Sequence, residues 1–325
     1  MTHATDRILV LHEAMSTDAR VDEIDALAQV EFVAGELRAL SRPVSVLATG
    51  MDLDATLSAI TAANPACVFN LVESLNRDGR LVHVMPALLA AARVPFTGSD
   101  SDAIYLSSQK LLAKRWMRAH DIPTPVSYLP GDASPIGDHM WIVKSVWEHA
   151  SFGLDDGCVV NDIPAALARI DLCRAQYGGE WFAEQFVDGR EFNVAVLEVD
   201  GRPRVLPIAE MCFVDYPQGK PKIVGYAAKW DDAAPEFSAT QRSFAALPDA
   251  ERDTILDITY KCWHAFGLRG YARVDMRMDT NGVPWVLEVN ANPCLSPDAG
   301  FIAAADEAGI PRRQVIENVL RAALG

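Results

Sequence analysis

The chain has 325 residues, of which 50% are hydrophobic, and a formal net charge of −15 at pH 7. This length allows two or three compact lobes with a substantial core, and the composition is that of a globular protein, which excludes a disordered chain. The acidic balance argues against a nucleic-acid partner, because such a partner requires a clustered basic face. The longest apolar runs are too short to span a bilayer, so no membrane partner is expected.

The cysteines and the N-terminus point to a cytoplasmic protein. Residues 1–6 lack the basic and apolar segments of a signal peptide. The six cysteines are scattered without a CxxC pair. This spacing favours reduced thiols over a disulfide framework or a zinc site.

Strands and helices alternate along the first hundred residues. Apolar runs predict strands at 7–11, 43–47 and 66–71, and helical periodicity predicts helices at 22–40, 54–63 and 81–93. Such alternation predicts a parallel sheet covered by helices. We therefore expect a Rossmann-like domain over residues 1–98, which ends at the turn-forming segment Pro95–Ser99.

Two further lobes are expected after this boundary. Residues 99–187 contain a predicted helix at 107–120 and a strand at 140–144, and they form a small lobe. Residues 188–325 are richer in antiparallel signals, such as a strand at 193–199, and contain a helix at 250–266 that ends on Gly267. The fold class expected for the whole chain is α/β with α+β lobes.

A hairpin near residue 281 carries the most informative chemistry. Asn281-Gly282 lies between two alternating runs, which is a strong hairpin signal. With these two as the central turn residues, Thr280 pairs with Val283. The same register places Asp275 opposite Glu288 and Arg273 opposite Asn290, with all four side chains on one face.

Two carboxylates that face each other across a sheet repel, so a sheet built only for stability avoids the pair. Mg²⁺ removes this repulsion: Asp275 and Glu288 supply carboxylate oxygens, and Asn290 supplies a neutral oxygen. Arg273 beside them can bind a phosphate or a developing negative charge. The alternative is an exposed polar face with an ion pair such as Arg273–Glu288.

This hairpin and the segments before it resemble the ATP-grasp superfamily and, within it, the D-alanine–D-alanine ligase family. The likeness extends from about residue 69 to residue 310. The matching motifs are Phe96-Thr-Gly-Ser99, Ser108-Gln-Lys110, Ile142-Val-Lys144, residues 183–192, Tyr226-Ala-Ala-Lys229, Arg273-Val-Asp275, Leu287-Glu-Val-Asn290 and Asn292-Pro293. The resemblance implies an ATP-grasp fold, in which a Rossmann-like domain precedes two lobes that hold ATP between them.

The resemblance also implies the cofactors and the site. ATP would be bound with Mg²⁺, or with Mn²⁺ as the alternative ion. The nucleotide would contact Lys110, Lys144, Glu148, Ser151, Glu184, Phe186, Val187, Glu191 and Lys229. The lysines would surround the phosphates, Glu184 would accept a bond from the adenine amino group, and Glu191 would bind the ribose hydroxyls. For any one of these charged residues alone, a solvated surface position is the competing interpretation.

The implied reaction joins a small-molecule carboxylate to a small-molecule amine. The carboxylate attacks the γ-phosphate of ATP, and the amine attacks the resulting acyl phosphate, which leaves an amide or peptide bond, ADP and phosphate. Arg273 and Lys229 would act on the reacting groups. The family likeness further implies a homodimer, closure of the loop at 211–232 and a phosphate-covering loop at 148–153, where His149 replaces a glycine.

The substrate-binding motifs depart from the family. Residues 72–79 keep only Asp78-Gly79 of a conserved loop motif of the family, and Ala299 stands where the family has a serine that holds the carboxylate of the product. We therefore expect a product other than D-alanyl-D-alanine, with a different amino acid, a small peptide or a biosynthetic intermediate as the substrate. The candidate substrate residues are Glu73 and Asp298 for an ammonium group, Arg77 or Arg80 for a carboxylate, and Cys294 as a pocket wall.

Three other functions stay open at this stage. A true D-alanine–D-alanine ligase would accept D-alanine despite the altered loop. An ATP-grasp phosphotransferase or carboxylase would release ADP without an amine. A nucleotide-binding module without catalysis would bind ATP and release no ADP, although the presence of Arg273, Asp275 and Glu288 argues against it.

Overall fold

The computed structural model describes residues 6–15, 21–133, 139–148, 151–216 and 218–325. Its first sheet is parallel and has the order β2-β1-β3. The strands are β1 (Ile8–Glu13), β2 (Val44–Thr49) and β3 (Cys67–Asn70), and the helices between and after them are α1 (Val21–Ala39), α2 (Leu53–Ala63) and α3 (Val84–Ala91). The predicted parallel sheet is confirmed. The third helix begins later than predicted, because Gly79–Leu81 forms a separate 3₁₀ turn.

The second sheet is antiparallel and has the order β4-β7-β5-β6. Its strands are β4 (Ser127–Tyr128), β5 (Trp141–Ser145), β6 (Val159–Val160) and β7 (Trp181–Gln185), and α6 (Ile163–Tyr177) covers one face. The core on that face contains Trp141 and Trp181 together with Ile170. Large aromatic side chains supply much of the buried area in so small a lobe.

The segment before this sheet forms two helices, α4 (Ser101–Ser108) and α5 (Lys110–Ala119). The helix predicted at 107–120 is found as α5, but it begins three residues later, because residues 107 and 108 belong to α4. Gln109 adopts an extended conformation, with ψ 95°, and its side-chain oxygen accepts a bond from the backbone N–H of Leu112. A side-chain acceptor at this position starts a new helix. Lys110 is consequently the first residue of α5.

The third sheet has the order β11-β10-β8-β12-β13, and β9 pairs with β8. Its strands are β8 (Arg190–Val199), β9 (Arg202–Val205), β10 (Ala209–Phe213), β11 (Thr240–Ser243), β12 (Tyr271–Met278) and β13 (Pro284–Asn290). The helices of this region are α7 (Tyr226–Trp230), α8 (Pro235–Ala239), α9 (Asp249–Ala265), α10 (Gly300–Glu307) and α11 (Arg312–Leu324). The combination of one parallel and two antiparallel sheets confirms the expected α/β class. None of the helices described is both long and apolar enough to cross a bilayer.

The two faces of the third sheet belong to different cores. Val194 and Val274 pack with Met117 of α5 and with Trp263 of α9. Ala195, Leu197 and Tyr271 pack with the other core, which also contains residues of β1, β3, α1, α10 and α11. Alternate residues of β8 thus join the first and the third sheet into one packed unit.

The β12–β13 hairpin keeps the predicted register where the chemistry lies. Asp275 pairs with Glu288 and Arg273 pairs with Asn290, as predicted. The predicted two-residue turn is wrong, because Asp279 pairs with Val283 across a three-residue loop. The register shifts by one residue after Asp275, and this irregularity offsets the longer turn.

Gly189 immediately precedes β8, at a point where the backbone closely approaches the end of β12. A Cβ atom at this position would lie 2.0 Å from the carbonyl oxygen of Met278. The contacted atom belongs to the backbone of a central strand, so the backbone itself would have to shift. Gly35, in contrast, is an exposed glycine of α1 with no atom within 4 Å of such a Cβ.

We expect Gly189→Ala to lower the free energy of unfolding by about 1–3 kcal/mol, which is typical of overpacking. Gly35→Ala is the control, and it should raise that free energy by roughly 0.5–1 kcal/mol because alanine favours the helix. Urea denaturation of both variants measures the difference. Equal stability of the two variants would contradict the close approach at Gly189.

Candidate active site

A cavity of about 910 Å³ lies where the three sheets meet. Side chains of β1, β5, β7, β8, β12 and β13 line it, together with the loops that follow β1 and β10. The predicted site residues that the structure places on its wall are Glu73, Arg77, Lys110, Lys144, Glu148, Ser151, Glu184, Phe186, Val187, Glu191, Lys229, Arg273, Asp275, Glu288, Asn290, Cys294 and Asp298. Residues 200 positions apart in sequence therefore share one cavity.

Glu184 lies between two lysines in the small lobe. Its carboxylate forms ion pairs with Lys114 and with Lys144, the latter over 2.7 Å, and its side chain is 1% exposed. Burial alone would raise the pKa of Glu184, but the two ammonium groups outweigh burial and lower that pKa. Burial lowers the pKa of Lys114 to about 8, with Glu184 opposing the shift. Each oxygen of Glu184 thus pairs with one lysine.

Lys110 is buried at the start of α5 and points to the metal-binding candidates. Its ammonium group donates a bond of 2.6 Å to the carbonyl oxygen of Glu148 and lies 3.9 Å from a carboxylate oxygen of Glu288. Burial lowers the pKa of Lys110, and Glu288 opposes this shift. Lys229 lies on α7 with an exposed side chain that also lines the cavity. These lysines and Lys144 approach the cavity from three different elements.

Asp275 and Glu288 face each other on β12 and β13, beside the amide side chains of Asn193 and Asn290. Oδ1 of Asp275 accepts bonds from Nδ2 of Asn193, at 3.0 Å, and from Nε of Arg273, at 2.7 Å. Nη2 of Arg273 completes a bidentate pair with Oδ2 of Asp275 at 2.8 Å. The guanidinium group therefore pairs along its own strand. The alternative of an exposed polar face does not hold here, because the side chains of Arg273 and Asp275 are only 20% and 15% exposed.

The donor set at this position fits a magnesium ion. Within the described ranges no group of three or more His, Cys, Asp or Glu side chains forms a metal site. Mg²⁺ does not require one, because it keeps several waters and binds one or two carboxylates together with phosphate oxygens. Asp275 and Glu288 would supply the two carboxylates at the cavity wall. Asn290 would add its amide oxygen, which also accepts a bond of 2.9 Å from the backbone N–H of Asn292.

Phe186, Val187 and Glu191 lie along one edge of the cavity, held by a residue that the sequence analysis missed. Arg277 of β12 donates to Glu191 and to the backbone carbonyl oxygen of Val187. A signal for it existed, because Arg277 follows Arg273 and Asp275 at two-residue spacing and thus shares their face of the strand.

Two loops meet over the cavity. The hydroxyl of Ser151 donates a bond of 2.7 Å to the carbonyl oxygen of Val224, and the backbone N–H of Tyr226 donates to the carbonyl oxygen of Leu154. The predicted covering loop at 148–153 and the predicted closing loop at 211–232 are therefore bonded to each other. His149 lies outside the described residues, so its predicted position in this loop stays a prediction.

The far end of the cavity carries several carboxylates. Glu73 accepts a bond from Gln29, and Glu13 accepts from the backbone N–H of Arg77 and from the hydroxyl of Ser74. Asp25 of α1 also lines this end, and sequence reasoning missed it. Burial raises the pKa of Asp25, and Asp298 raises it further through its negative charge.

Cys294 lies within this acidic wall. Its Sγ is 3.4 Å from a carboxylate oxygen of Asp25 and 3.2 Å from the hydroxyl of Ser296. Burial, together with the negative charge of Glu73, raises the pKa of the Cys294 thiol far above its usual range. A protonated thiol is a poor nucleophile, so Cys294 is a wall residue, as expected. All six cysteines are free thiols.

Of the two arginines expected to bind a substrate carboxylate, Arg77 lines the cavity and Arg80 does not. Arg80 forms an ion pair of 2.7 Å with Asp78, and its side chain is 53% exposed. Arg242 of β11 also lines the cavity, and the charges of Arg273 and Asp298 act on its guanidinium group. Its guanidinium group packs against Gly300, at the start of α10. No sequence pattern pointed to Arg242.

Comparisons with known proteins agree with this geometry. Residues 139–321, more than half of the chain, match the family model described as D-ala D-ala ligase C-terminus. The uncharacterized protein y4sG of Sinorhizobium fredii is 32% identical over 266 residues, which cover 80% of this chain and 75% of that protein. A D-alanine–D-alanine ligase of Bordetella petrii is 26% identical over 85% of this chain and 83% of its own length.

Solved structures share the fold over nearly the whole chain. The D-alanine–D-alanine ligase of Bacillus anthracis, complexed with ATP, superposes with a TM-score of 0.75 at 18% identity, covering 98% of this chain and 97% of that one. The D-alanyl-alanine synthetase A of Vibrio cholerae gives a TM-score of 0.73 at 17% identity, covering 99% of each chain. The matching residues, the sheet topology and the cavity together identify the chain as a member of the D-alanine–D-alanine ligase family, and thus as an ATP-grasp ligase of that type.

Proposed function

We propose that this ATP-grasp ligase joins the carboxylate of one small substrate to the amine of another through an acyl phosphate, with Mg²⁺ as the metal. The observation that carries the proposal is the pair Asp275 and Glu288, which face each other at the cavity wall beside Lys110 and Arg273. Such a concentration of charge is typical of sites that neutralise phosphate oxygens.

The chain contributes position and charge to this reaction. Lys110 and Lys144 approach the cavity from the small lobe, where their ammonium groups meet the phosphates of ATP. A metal bound by Asp275, Glu288 and Asn290 would neutralise charge on those phosphates. The substrate carboxylate attacks the γ-phosphorus, and ADP leaves. Arg273 is held rigidly by its bidentate pair with Asp275, so it can stabilise the charge that develops at the reacting centre.

The second half of the reaction makes the amide. The ammonium group first loses one proton to the carboxylates around it, the free amine nitrogen attacks the carbonyl carbon of the acyl phosphate, and the C–O bond to phosphate breaks. The second proton leaves the nitrogen with the departing phosphate. Lys229 of α7 lies beside the cavity on the loop segment that bonds to Ser151, so it would reach the same phosphates. Closure of the segment at 211–232 would exclude water, which otherwise hydrolyses an acyl phosphate.

The amine substrate is, in this proposal, an amino acid or small peptide other than D-alanine. Asp25, Glu73 and Asp298 would attract its ammonium group at the acidic end of the cavity. Arg242 would bind its carboxylate, because its guanidinium group lines the cavity beside Gly300, where α10 begins. A helix start favours an anion through its exposed N–H groups. The homodimer implied by the family likeness stays a prediction.

The direct test measures ADP release from ATP and Mg²⁺ with pooled D- and L-amino acids and short peptides, and identifies products by mass. We expect ADP release that requires two substrates, and a product one water lighter than their sum. ADP release without an amine would contradict the ligase and favour a phosphotransferase or carboxylase. A product formed only from two D-alanine molecules would contradict the proposed change of substrate.

Replacement of a metal-binding carboxylate should change how activity depends on the Mg²⁺ concentration. We expect Asp275→Asn to raise the Mg²⁺ concentration for half-maximal activity by roughly 10–100-fold, because one charged ligand is lost. Asp257→Asn on the exposed side of α9 is the control and should leave the Mg²⁺ dependence unchanged. An unaltered Mg²⁺ dependence of the Asp275 variant would remove this residue from the metal site.

Loss of the Arg242 charge should weaken the binding of the amine substrate and leave the binding of ATP unchanged. A charge-assisted hydrogen bond contributes about 1.5–3 kcal/mol, so Arg242→Gln should raise the KM for that substrate roughly 10–150-fold and leave the KM for ATP unchanged. Arg202→Gln on the exposed part of β9 is the control. A larger increase in the KM for ATP than in the KM for the amine would indicate that Arg242 binds the nucleotide and not the amine substrate.

A further inference from the structure

Arg277 is a buried arginine on the wall of the cavity, and the proposed chemistry leaves it without a role. Its side chain is 3% exposed, although it lines the cavity near Phe186 and Val187. Burying a guanidinium group costs free energy unless its charge and its N–H groups find partners. The partners of Arg277 therefore indicate why the charge is there.

Three acceptors surround this guanidinium group, and each belongs to a different segment. Nε donates a bond of 3.0 Å to Oε2 of Glu191 on β8. Nη1 donates a bond of 2.8 Å to the carbonyl oxygen of Val187, in the connection between β7 and β8. Nη2 donates to the carbonyl oxygen of Lys222, in the loop that precedes α7. One side chain thus links two parts of the cavity edge to the loop above it.

The rings around Arg277 fix its plane. Its guanidinium carbon lies 5.1 Å from the centre of the Phe186 ring and 6.0 Å from the centre of the Phe213 ring. Contacts of this kind favour a planar cation over a lysine ammonium group. The orientation of the guanidinium group then determines the orientation of the Glu191 carboxylate, which accepts Nε.

Glu191 is left with one oxygen for a ligand. Its Oε2 accepts from Arg277, and its Oε1 accepts no hydrogen bond from any other residue that the structure describes. Glu191 and Val187 both line the cavity. A carboxylate oxygen and a backbone amide at one edge of a cavity are suited to the hydroxyl groups of a sugar and to the edge of a base.

Arg190 shows what a purely structural arginine looks like in the same sheet. It lies on β8, forms a bidentate pair with Glu210 and a second pair with Glu251, and has its guanidinium carbon 5.0 Å from the centre of the Phe192 ring. Arg190 does not line the cavity. Arg190 pairs with two carboxylates away from the cavity and is 40% exposed, whereas Arg277 binds one carboxylate and two backbone carbonyl oxygens at the cavity edge and is 3% exposed.

We propose that Arg277 is a nucleotide-positioning residue, which orients Glu191 and the Val187 segment toward the ribose and base of ATP and ties the loop at 218–225 to them. The inference rests on the proposed use of ATP. It adds that discrimination between ribose and deoxyribose depends on Arg277, although Arg277 itself need not touch the sugar. It also makes the loop that leads to Lys229 part of the nucleotide site.

The test compares binding of ATP and of 2′-deoxy-ATP to the full chain by calorimetry, for the wild type and for Arg277→Met. The wild type should bind ATP at least about 10-fold more tightly than the deoxynucleotide, since a site that bonds a hydroxyl rejects the analogue that lacks it. In Arg277→Met, ATP binding should weaken by at least about 10-fold, and the ratio of the two dissociation constants should fall toward one.

Further variants separate positioning from stability. Arg277→Lys keeps the positive charge but cannot make all three contacts. The ratio of the dissociation constants for 2′-deoxy-ATP and ATP should therefore also fall in this variant. It replaces Arg277→Met in the test if the methionine variant does not fold. Glu191→Gln should lower this ratio in the same way. Because the two residues act as a unit, a variant with both Glu191→Gln and Arg277→Met should bind ATP as tightly as either single variant. Arg190→Met, the matched control, should lower stability and keep the wild-type ratio.

The outcomes that overturn the inference differ from those that overturn the function. A wild type that binds no ATP contradicts the proposed function itself. A wild type that binds ATP and the deoxynucleotide equally, or an Arg277→Met variant that keeps the wild-type ratio while its stability falls, leaves the function standing and reduces Arg277 to a structural residue. In activity assays, the positioning role predicts a raised KM for ATP with an unchanged KM for the amine.

Discussion

Repulsion between the facing carboxylates of Asp275 and Glu288 is the constraint around which the cavity is arranged. A sheet gains nothing from placing like charges opposite each other, so the surrounding elements supply cations. Arg273 neutralises Asp275 along its own strand, and Lys110 approaches Glu288 from the start of α5. The break at Gln109 starts α5 at Lys110, and the ammonium group of this buried lysine lies 3.9 Å from Glu288.

The same rule operates in the small lobe with the charges exchanged. There Glu184 is the single acid between Lys114 and Lys144, and all three lie largely out of water. Two cations around one anion leave an excess of positive charge, and of the two lysines only Lys144 lines the cavity. The β12–β13 half has no such excess, because Arg273 and Lys110 match Asp275 and Glu288 in charge. The two clusters together thus carry one positive charge, which an anionic nucleotide would offset.

The sequence was sufficient for those parts of the fold that depend on local pattern. Alternating residues around Asn281-Gly282 gave the right partners for Asp275, although the turn is one residue longer and a shift in register compensates. The family likeness was sufficient to select Lys110, Lys144 and Lys229, all of which line the cavity. Arg242 and Asp25 could not be found this way, because each becomes a cavity residue only when β11 or α1 packs against distant segments. Arg277 was within reach, since it continues the spacing of Arg273 and Asp275.

One core joins the two ends of the chain. Val315 and Val319 of α11 pack in the same cluster as Ile8 and Val10 of β1 and as Val33 of α1. The first sheet therefore remains incompletely covered until the last helix arrives. During synthesis the N-terminal strands leave the ribosome early with part of their apolar surface exposed, and contacts between such distant residues form slowly. Until α11 has been made, the partly folded chain thus exposes apolar surface that the complete fold buries.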